Sequence, residues 1–228
     1  MNYKKVLIFG AHPDDEITMA GTIFKMANSG TKVVVITMTD GCEGYPVLEM
    51  KEKIVEIRKK EAKECDKILG ISKRIFLDIP DMGLVNNKEI LKKCIKIIRE
   101  EKPDAIFTHG PEDNHRDHIN THFISVEARW HAGEPVSAEF GSPWYTPHLY
   151  YYKGITKGLP SVIIDVTDVA EKKYEALITQ TSQFTVFRKN KEDFLSEIEL
   201  IKKTRPKRTE QFWIADKVTI FDFLPRSI

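Results

Sequence analysis

The run of β-branched residues in TKVVVITMT, at Thr31–Thr39, limits the fold of this chain more than any other stretch of its sequence. A strand with one wet face alternates apolar and polar residues, whereas this run is apolar on both faces, as in a parallel strand covered by helices on each side. Stretches with helical spacing separate it from other short apolar runs, which gives the chain a βαβα order. We therefore predict an α/β fold with a Rossmann-like, mostly parallel sheet and helices on both faces.

The same patterns locate the predicted elements along the chain. Strands are predicted at Lys4–Phe9, Thr31–Thr39, Arg74–Ile79, Asp104–His109, His148–Tyr152 and Ser161–Val166. Helices are predicted at Glu16–Ser29, about Lys51–Leu69, Ile90–Ile98, Asp168–Gln183 and Lys191–Lys203, the second of them ending at Gly70. No internal repeat, low-complexity segment or clear linker interrupts this order, so we predict one domain over residues 1–228.

The composition limits the expected partners and compartment. Of the 228 residues, 41% are hydrophobic and 30% are charged, and the net charge of +1 gives no bulk attraction to nucleic acid or to a membrane surface. No stretch approaches the roughly 20 apolar residues of a membrane span, and no apolar region of signal-peptide length follows MNYKK. The three cysteines form no CxxC pair and no even-numbered framework. We expect a cytoplasmic protein.

Metal-type ligands gather directly after the first and the fourth predicted strand. AHPDDE follows the first strand, and HGPEDNHRDHINTH (His109–His122) holds four of the seven histidines of the chain. In an open α/β sheet, ligands bind beyond the carboxyl ends of the strands, so these two segments can share one ion. Imidazole with carboxylate suits zinc, and also iron, cobalt or nickel, and two histidines with one carboxylate leave an ion positive enough to activate water.

Each of these segments also has a purely structural interpretation. Asp14 or Asp15 could cap the helix that follows, because acidic residues favour its first turn. His118 and His122, four residues apart, could be surface residues of a helix. The first strand is followed by no GxGxxG or Walker-type phosphate loop, and the chain has no HExxH at His118. The residues alone do not separate the role of Asp14 from that of Asp15.

The helix predicted near Lys51–Leu69 carries two charged residues in its apolar stripe. Arg58 and Glu61, one turn apart, lie among apolar residues when the helix is drawn at about 100° per residue. A charge directed at a core must be paired or face a cavity. Two alternatives follow: a buried Arg58–Glu61 ion pair that braces the helix, or an Arg58 that points into an active site and is held there by Glu61.

The two ligand-rich segments together resemble those of a known family. GAHPDDE and NHRDH are similar to the AHPDD and HPDH-type segments of the LmbE-like deacetylases, also called the PIG-L family. RKKEAKECDKILG (Arg58–Gly70) resembles the Arg-x-x-Glu-Ala helix of that family, and Ile164–Gln183 resembles its later Val-Asp-Ile-Thr and Ser-Gln segment. The resemblance covers roughly residues 4–183. Arg116 stands where the family usually has proline, at a position that is not a ligand.

The resemblance implies a metal-dependent N-deacetylase, a hydrolase of amide C–N bonds. Its zinc, one ion per chain, would be bound by His12, Asp15 and His118, although other divalent metals suit the same residues. Zinc lowers the pKa of a bound water towards about 7 and polarises an amide carbonyl.

Four further residues receive roles from the same resemblance. Asp14 would be the general base, and His115 would stabilise the tetrahedral intermediate and protonate the leaving amine. Asp117 would orient His115, and Arg58 would bind the substrate. The substrate implied is an amino sugar, either a small molecule or a glycoconjugate that carries N-acetylglucosamine.

An aromatic-rich segment follows the second metal motif. Aromatic faces stack on sugar rings, so we predict an irregular, substrate-shaping region at about residues 123–160. Its aromatic residues are Phe123, Trp130, Phe140, Trp144, Tyr145, Tyr150, Tyr151 and Tyr152. The alternative is that most of them belong to the core or to a subunit interface, and we expect a homo-oligomer.

The sequence leaves three other functions open. Another N-acylated metabolite would need the same amidohydrolase chemistry. Two histidines and one carboxylate also suit an Fe(II) oxygenase, but those enzymes usually have all-β scaffolds. A non-catalytic carbohydrate- or metal-binding protein would need neither the base nor the acid.

Overall fold

A central sheet of seven strands is formed by the residues that the structure describes. The structure, a computed structural model, describes residues 3–155, 158–184, 186, 190–204 and 206–215. The strands are β1 (Lys5–Gly10), β2 (Lys32–Thr39), β3 (Lys73–Ile79), β4 (Ala105–His109), β5 (His148–Lys153), β6 (Val162–Asp165) and β7 (Thr209–Ile214). Their order across the sheet is β3-β2-β1-β4-β5-β7-β6.

Strands β1 to β5 are parallel, whereas β7 joins β5 and β6 in antiparallel pairs. The register places Val6 of β1 between Val33 of β2 and Ala105 of β4. Because β1 and β4 are parallel neighbours, their carboxyl ends meet at one edge of the sheet.

Helices connect the strands and follow the apolar spacing read from the sequence. They are α1 (Ala20–Asn28), α2 (Ile54–Leu69), α3 (Lys88–Glu101), α4 (Arg116–Gly133), α5 (Ala170–Thr179), α6 (Thr181–Phe184) and α7 (Lys191–Thr204). Gly70 ends α2 in the left-handed conformation, with φ 72°, as predicted.

Successive residues of β1 enter two separate cores, because side chains alternate between the faces of a strand. Val6 and Ile8 pack with residues of α1, α2 and α5, whereas Leu7 and Phe9 pack with residues of α3 and α4. All four side chains are fully buried. The sheet therefore has helices on both faces, and the predicted α/β architecture is confirmed.

Two predicted helices differ from the observed ones. The helix expected from Glu16 begins as a 3₁₀ turn over Asp15–Met19 and becomes α-helical only at Ala20. The helix expected over Asp168–Gln183 is divided at Gln180 into α5 and α6.

Two further features were absent from the predicted elements. Residues 123–133, expected to be irregular, form the second half of α4, and β7 has no predicted counterpart. Residues 156–157 of the predicted substrate-shaping region lie outside the described residues. None of the helices in the described part of the chain combines the length and the apolar character that crossing a membrane requires.

Candidate active site

The two ligand-rich segments meet at the carboxyl ends of β1 and β4. After β1 the chain turns tightly, so that the backbone N–H of His12 donates to Asp15 Oδ2 at 2.8 Å. After β4, helix α4 begins at Arg116 and presents His118 from its first turn. The two segments therefore meet at one edge of the sheet, as predicted from the strand ends.

His12, Asp15 and His118 bring three metal-type donor groups together. His12 Nδ1 lies 3.2 Å from His118 Nε2 and 3.5 Å from Asp15 Oδ2, and His118 Nε2 lies 3.3 Å from Asp15 Oδ1. Ligands at about 2.0–2.1 Å from a tetrahedral zinc ion are about 3.4 Å apart. All three residues are buried, and their spacing fits such an ion with little movement.

Carboxylates behind the two imidazoles fix the orientation of the rings. His118 Nδ1 lies 2.9 Å from Asp113 Oδ2, and His12 Nε2 lies 3.1 Å from Asp81 Oδ1 and 3.5 Å from Asp117 Oδ2. Each ring thereby keeps its other nitrogen for an ion. Burial disfavours the charged form of His12, but hydrogen bonds with Asp117, Asp15 and Asp81 outweigh it and raise the pKa of this imidazole to about 11. The carboxylates thus stabilise positive charge at this point.

Asp15 has two further partners that the sequence analysis did not predict. Lys153 Nζ donates to Asp15 Oδ1 at 3.1 Å, and His109 Nε2 lies 3.3 Å from Asp15 Oδ2. Burial would raise the pKa of Asp15, but contacts with His109, Lys153 and His118 outweigh it and hold the pKa well below its usual range. The carboxylate is therefore ionised, which is the form that binds a metal.

Neither Asp14 nor Asp15 caps helix α1. Asp14 precedes the 3₁₀ turn and forms no side-chain capping hydrogen bond. The N–H groups of Gly21 and Thr22 at the start of α1 donate instead to Glu210 Oε1 and Oε2, at 3.0 and 2.8 Å. Because Glu210 of β7 satisfies the helix, both aspartates are free to face the site.

Arg58 points from α2 into the site, where it contacts Asp14. Its Nη2 donates to Asp14 Oδ1 at 3.1 Å, its Nη1 donates to Gly41 O at 3.2 Å, and the residue is only 3% exposed. Gly41 and Gly44 leave room for the guanidinium, because a Cβ atom at either position would come within 2.5 Å of Nη1. The interpretation of Arg58 as an active-site residue matches this geometry.

Glu61 does not pair with Arg58. The contact between these two side chains, which both alternatives in the sequence analysis assumed, is therefore wrong. Glu61 Oε1 accepts hydrogen bonds from Thr181 Oγ1 and Ser182 N, each at 2.8 Å, and Oε2 accepts one from Ser182 Oγ at 2.6 Å. Glu61 therefore attaches α6 to α2. The helical pattern shows that a charge faces inward, but it cannot show a partner about 120 residues away, whose position depends on the tertiary fold.

His115 and Asp117 lie beside the metal donors. The ring centroids of His115 and His12 are 4.5 Å apart, with the rings nearly perpendicular. The backbone N–H of Asp117 donates to His115 Nδ1 at 3.2 Å, while Asp117 Oδ2 accepts from the backbone N–H of Met82 at 2.7 Å. Asp117 thus contacts His115 through its backbone, and its carboxylate faces His12. Burial, together with His12 and His118, lowers the pKa of His115.

The site opens into a cavity of about 560 Å³, a size typical of pockets that enclose small molecules. The residues at its polar end are His12, Asp14, Asp15, Arg58, Asp81, His115, His118 and Lys153. Asp81 and Lys153 were missed, although they follow β3 and end β5. Both lie at the carboxyl ends of parallel strands, and that position is the sequence signal that could have identified them.

The predicted substrate-shaping region contributes one of its described residues, Lys153, to the lining of this cavity. Tyr150 and Tyr152 lie in the core, whereas Phe123 and Trp130 are 50% and 48% exposed on α4. Part of the remaining wall comes from α5, α6 and α7, which the sequence analysis did not connect with the site.

Comparison with known families agrees with this geometry. A family model described as PIG-L, GlcNAc-PI de-N-acetylase, matches residues 7–129, which is more than half of the chain. The chain belongs to the PIG-L family. The match includes all the residues to which the resemblance assigned catalytic, substrate-binding or metal-binding roles.

Similarity to individual proteins extends beyond residues 7–129 and covers most of the chain. The diacetylchitobiose deacetylase of Thermococcus kodakarensis is 33% identical over 192 residues, which cover 79% of this chain and 70% of that protein. The 1D-myo-inositol 2-acetamido-2-deoxy-alpha-D-glucopyranoside deacetylase of Rhodococcus erythropolis is 29% identical over 241 residues. The aligned residues cover 80% of this chain and 82% of that protein. The structure of N,N'-diacetylchitobiose deacetylase from Pyrococcus horikoshii matches with a TM-score of 0.80 at 31% identity, covering 93% of this chain and 84% of that one.

The predicted PIG-L family and the predicted α/β fold are confirmed. The family also confirms the predicted enzyme class, a deacetylase that hydrolyses amide bonds. The fold also argues against the Fe(II) oxygenase alternative, because such an enzyme would be expected to have an all-β scaffold and this sheet is mostly parallel with helices on both faces.

Proposed function

We propose that this PIG-L family member is a zinc-dependent N-deacetylase that releases acetate from a small molecule carrying an N-acetylglucosamine unit. The observation that carries the proposal is the convergence of His12, Asp15 and His118 beside the half-buried Asp14, with the two imidazoles 3.2 Å apart and each within 3.5 Å of one Asp15 oxygen. The amino-sugar substrate is supported by the names of the relatives, two of which are deacetylases of N-acetylated sugars.

The chain supplies a base and an acid on either side of the reacting amide. Zinc bound by the three donors would supply a water of lowered pKa and a Lewis acid for the acetyl carbonyl. Asp14 accepts a proton from the attacking water, and the hydrogen bond from Arg58 holds its carboxylate in place. His115 stabilises the developing oxyanion and donates a proton to the leaving amine.

The sugar hydroxyls are bound by the wall beside Asp14. Arg58 Nη1 lies 4.0 Å from Asp81 Oδ2, so a cationic donor and an anionic acceptor stand side by side there. A vicinal pair of hydroxyls both donates and accepts hydrogen bonds, which this pair of side chains complements.

The test is acetate release by purified protein after metal removal and restoration. We expect the metal-stripped protein to be inactive and zinc or cobalt, at about one equivalent per chain, to restore cleavage of N-acetylglucosaminides. Full activity of the stripped protein would contradict the metal mechanism. Activity of the zinc-loaded protein without oxygen would exclude an oxygenase.

The substrate class is tested separately from the mechanism. Free N-acetylglucosamine, its β-linked dimer, an N-acetylglucosaminyl malate and simple N-acetyl amino acids are compared in one assay. If the amino acids are cleaved faster than every sugar, the amino-sugar substrate is wrong, and the enzyme is an amidohydrolase of another N-acyl metabolite.

A further inference from the structure

Five apolar side chains that line the cavity, here called the apolar wall, are not used by the proposed chemistry. Its side chains belong to Ile17, Leu177, Phe184, Val186 and Phe194. The rings of Phe184 and Phe194 are stacked, with centroids 4.5 Å apart and an angle of 21° between their planes. An acetyl group has a single methyl, so it does not need a wall of this extent.

Lys173, a charged residue in the lining of this cavity, is already paired. Lys173 lies one turn before Leu177 on α5 and also lines the cavity. Its Nζ donates to Glu210 Oε1 and to Thr18 O, both at 2.7 Å. Lys173 is therefore held for structural reasons, and it does not offer a free ammonium to an anionic substituent at this end.

We propose that the apolar wall is a subsite for an apolar or aromatic aglycone carried by the amino sugar, a proposal that rests on the function proposed above. In that function the acetyl group lies at the donors of His12, Asp15 and His118, and the hydroxyls lie at Arg58 and Asp81. The group joined to the sugar then extends along the apolar wall. Stacked aromatic rings bind a flat apolar group by burying its surface from water.

The kinetic test compares substrates that differ only in the aglycone. For the zinc-loaded wild-type protein we measure kcat/KM for the methyl, hexyl and phenyl β-glycosides of N-acetylglucosamine. We expect the phenyl and hexyl compounds to exceed the methyl compound by about tenfold or more, since each buried apolar group contributes at least that much discrimination. In Phe194→Ala the phenyl-to-methyl ratio should fall towards one.

Matched variants separate the subsite from general effects on folding. Phe123→Ala removes an aromatic ring that is 50% exposed and lies outside the cavity, and it should keep both the wild-type rates and the wild-type ratio. Val186→Ser changes a wall residue that is 43% exposed, so it should fold and still lower the ratio. The dissociation constants of the phenyl and methyl glycosides are also measured with the turnover-deficient Asp14→Asn protein. Their ratio tests the same preference without catalysis.

The outcomes distinguish this inference from the function on which it rests. If the methyl glycoside is deacetylated and the wild-type ratio is near one, the subsite is wrong and the deacetylase function stands. If N-hexanoylglucosamine is cleaved faster than N-acetylglucosamine and Phe194→Ala removes that gain, the wall binds the acyl chain and the aglycone proposal is wrong. If no sugar is cleaved or bound, the proposed function itself fails.

Discussion

Arg58 donates a hydrogen bond from Nη2 to Asp14 Oδ1 at 3.1 Å, so the proposed substrate-binding cation and the proposed base are joined before any substrate arrives. Asp15, the next residue, faces the other way, towards His118 and Lys153. Two adjacent carboxylates are thus given different surroundings by a single tight turn.

These surroundings predict different phenotypes for the two aspartates. Asp14→Asn should keep its metal but lose turnover by roughly 10²–10⁴-fold, the usual contribution of a general base. Asp15→Ala should lose metal affinity, because it removes one of the three proposed ligands. Metal content of the purified variants and kcat at saturating zinc are the measurements. Exchanged phenotypes would mean that the two roles are reversed.

Replacing Arg58 should affect substrate binding more than folding. Arg58→Met keeps the aliphatic part of the buried side chain, and water can hydrate the half-buried Asp14, so thermal unfolding should stay close to that of the wild type. KM should rise by about 10- to 100-fold, as expected when a charged hydrogen bond is lost. Lys59→Met, at the next position of the same helix, is the control and should leave KM unchanged. A large loss of stability with an unchanged KM would show that Arg58 is structural.

Glu61 should matter for stability, because it holds α6 through three hydrogen bonds. Glu61→Ala leaves the hydroxyls of Thr181 and Ser182 and one backbone N–H without this acceptor, and we expect it to lower the free energy of unfolding by about 2–3 kcal/mol. Glu64→Ala removes an exposed carboxylate from the same helix. This variant should change the free energy of unfolding by no more than about 0.5 kcal/mol. Urea unfolding of both variants measures the difference, and equal effects would contradict the assignment.

The parts of this protein that could be predicted from its sequence depend on local patterns. Strands β1 to β4 and helices α2 and α3 follow from hydrophobic spacing, and the metal motifs follow from where those strands end. The partner of Glu61 and the capping of α1 by Glu210 could not be predicted, since each joins residues more than 100 positions apart. The aromatic residues at 123–152 could not be assigned for the same reason: an aromatic ring can pack in a core, lie at a surface contact or stack on a sugar, and only the tertiary fold decides.

His109 should act on the metal through Asp15. Its Nε2 accepts a hydrogen bond from the backbone N–H of Ala11 at 3.3 Å and lies 3.3 Å from Asp15 Oδ2 and 3.2 Å from Tyr152 Oη. His109→Leu removes the ring nitrogen beside a proposed metal ligand and should weaken zinc affinity by about 10- to 100-fold, whereas His109→Gln keeps a polar amide group and should restore part of that affinity. Zinc titration against a competing chelator measures this. Equal affinities for the two variants would show that the ring only fills space.

His122 provides the control for that comparison. It is a buried histidine of α4 whose Nδ1 lies 3.0 Å from His109 O, and it has no contact with Asp15 among the described residues. His122→Leu should alter stability without changing zinc affinity. A matching loss of affinity would mean that the effect of His109 is a general one of packing.

Glu101 should make the stability of the fold depend on pH. Burial would raise its pKa, but hydrogen bonds with Lys73 and Lys5, at 2.6 and 3.0 Å, outweigh it and lower the pKa. A lowered pKa in the folded state means that the stabilisation is present above the unfolded pKa of about 4.3 and is lost as the pH falls through the folded value. Glu101→Gln should therefore destabilise the protein at neutral pH by about 1 kcal/mol or less, and this difference should shrink below about pH 4.

The neighbouring Glu100 tests whether that dependence is specific. Its carboxylate is 55% exposed and lies 3.8 Å from Lys96. Glu100→Gln should show no measurable difference from the wild type at either pH in urea unfolding. A pH-independent loss of stability in Glu101→Gln would contradict the ion-pair explanation.

The family match ends at residue 129, whereas Leu177, Phe184 and Phe194 come after it in the chain. The proposed reacting groups and most of the apolar wall thus lie in separate stretches of the chain, and the contact between Glu61 and Ser182 is one of those that join them. A library of substitutions confined to the later stretch would sample new substrates while leaving the bond-breaking residues untouched. If the apolar wall binds the aglycone as proposed, we expect exchange of this block of sequence to change the specificity, provided that each new block keeps a hydroxyl for Glu61.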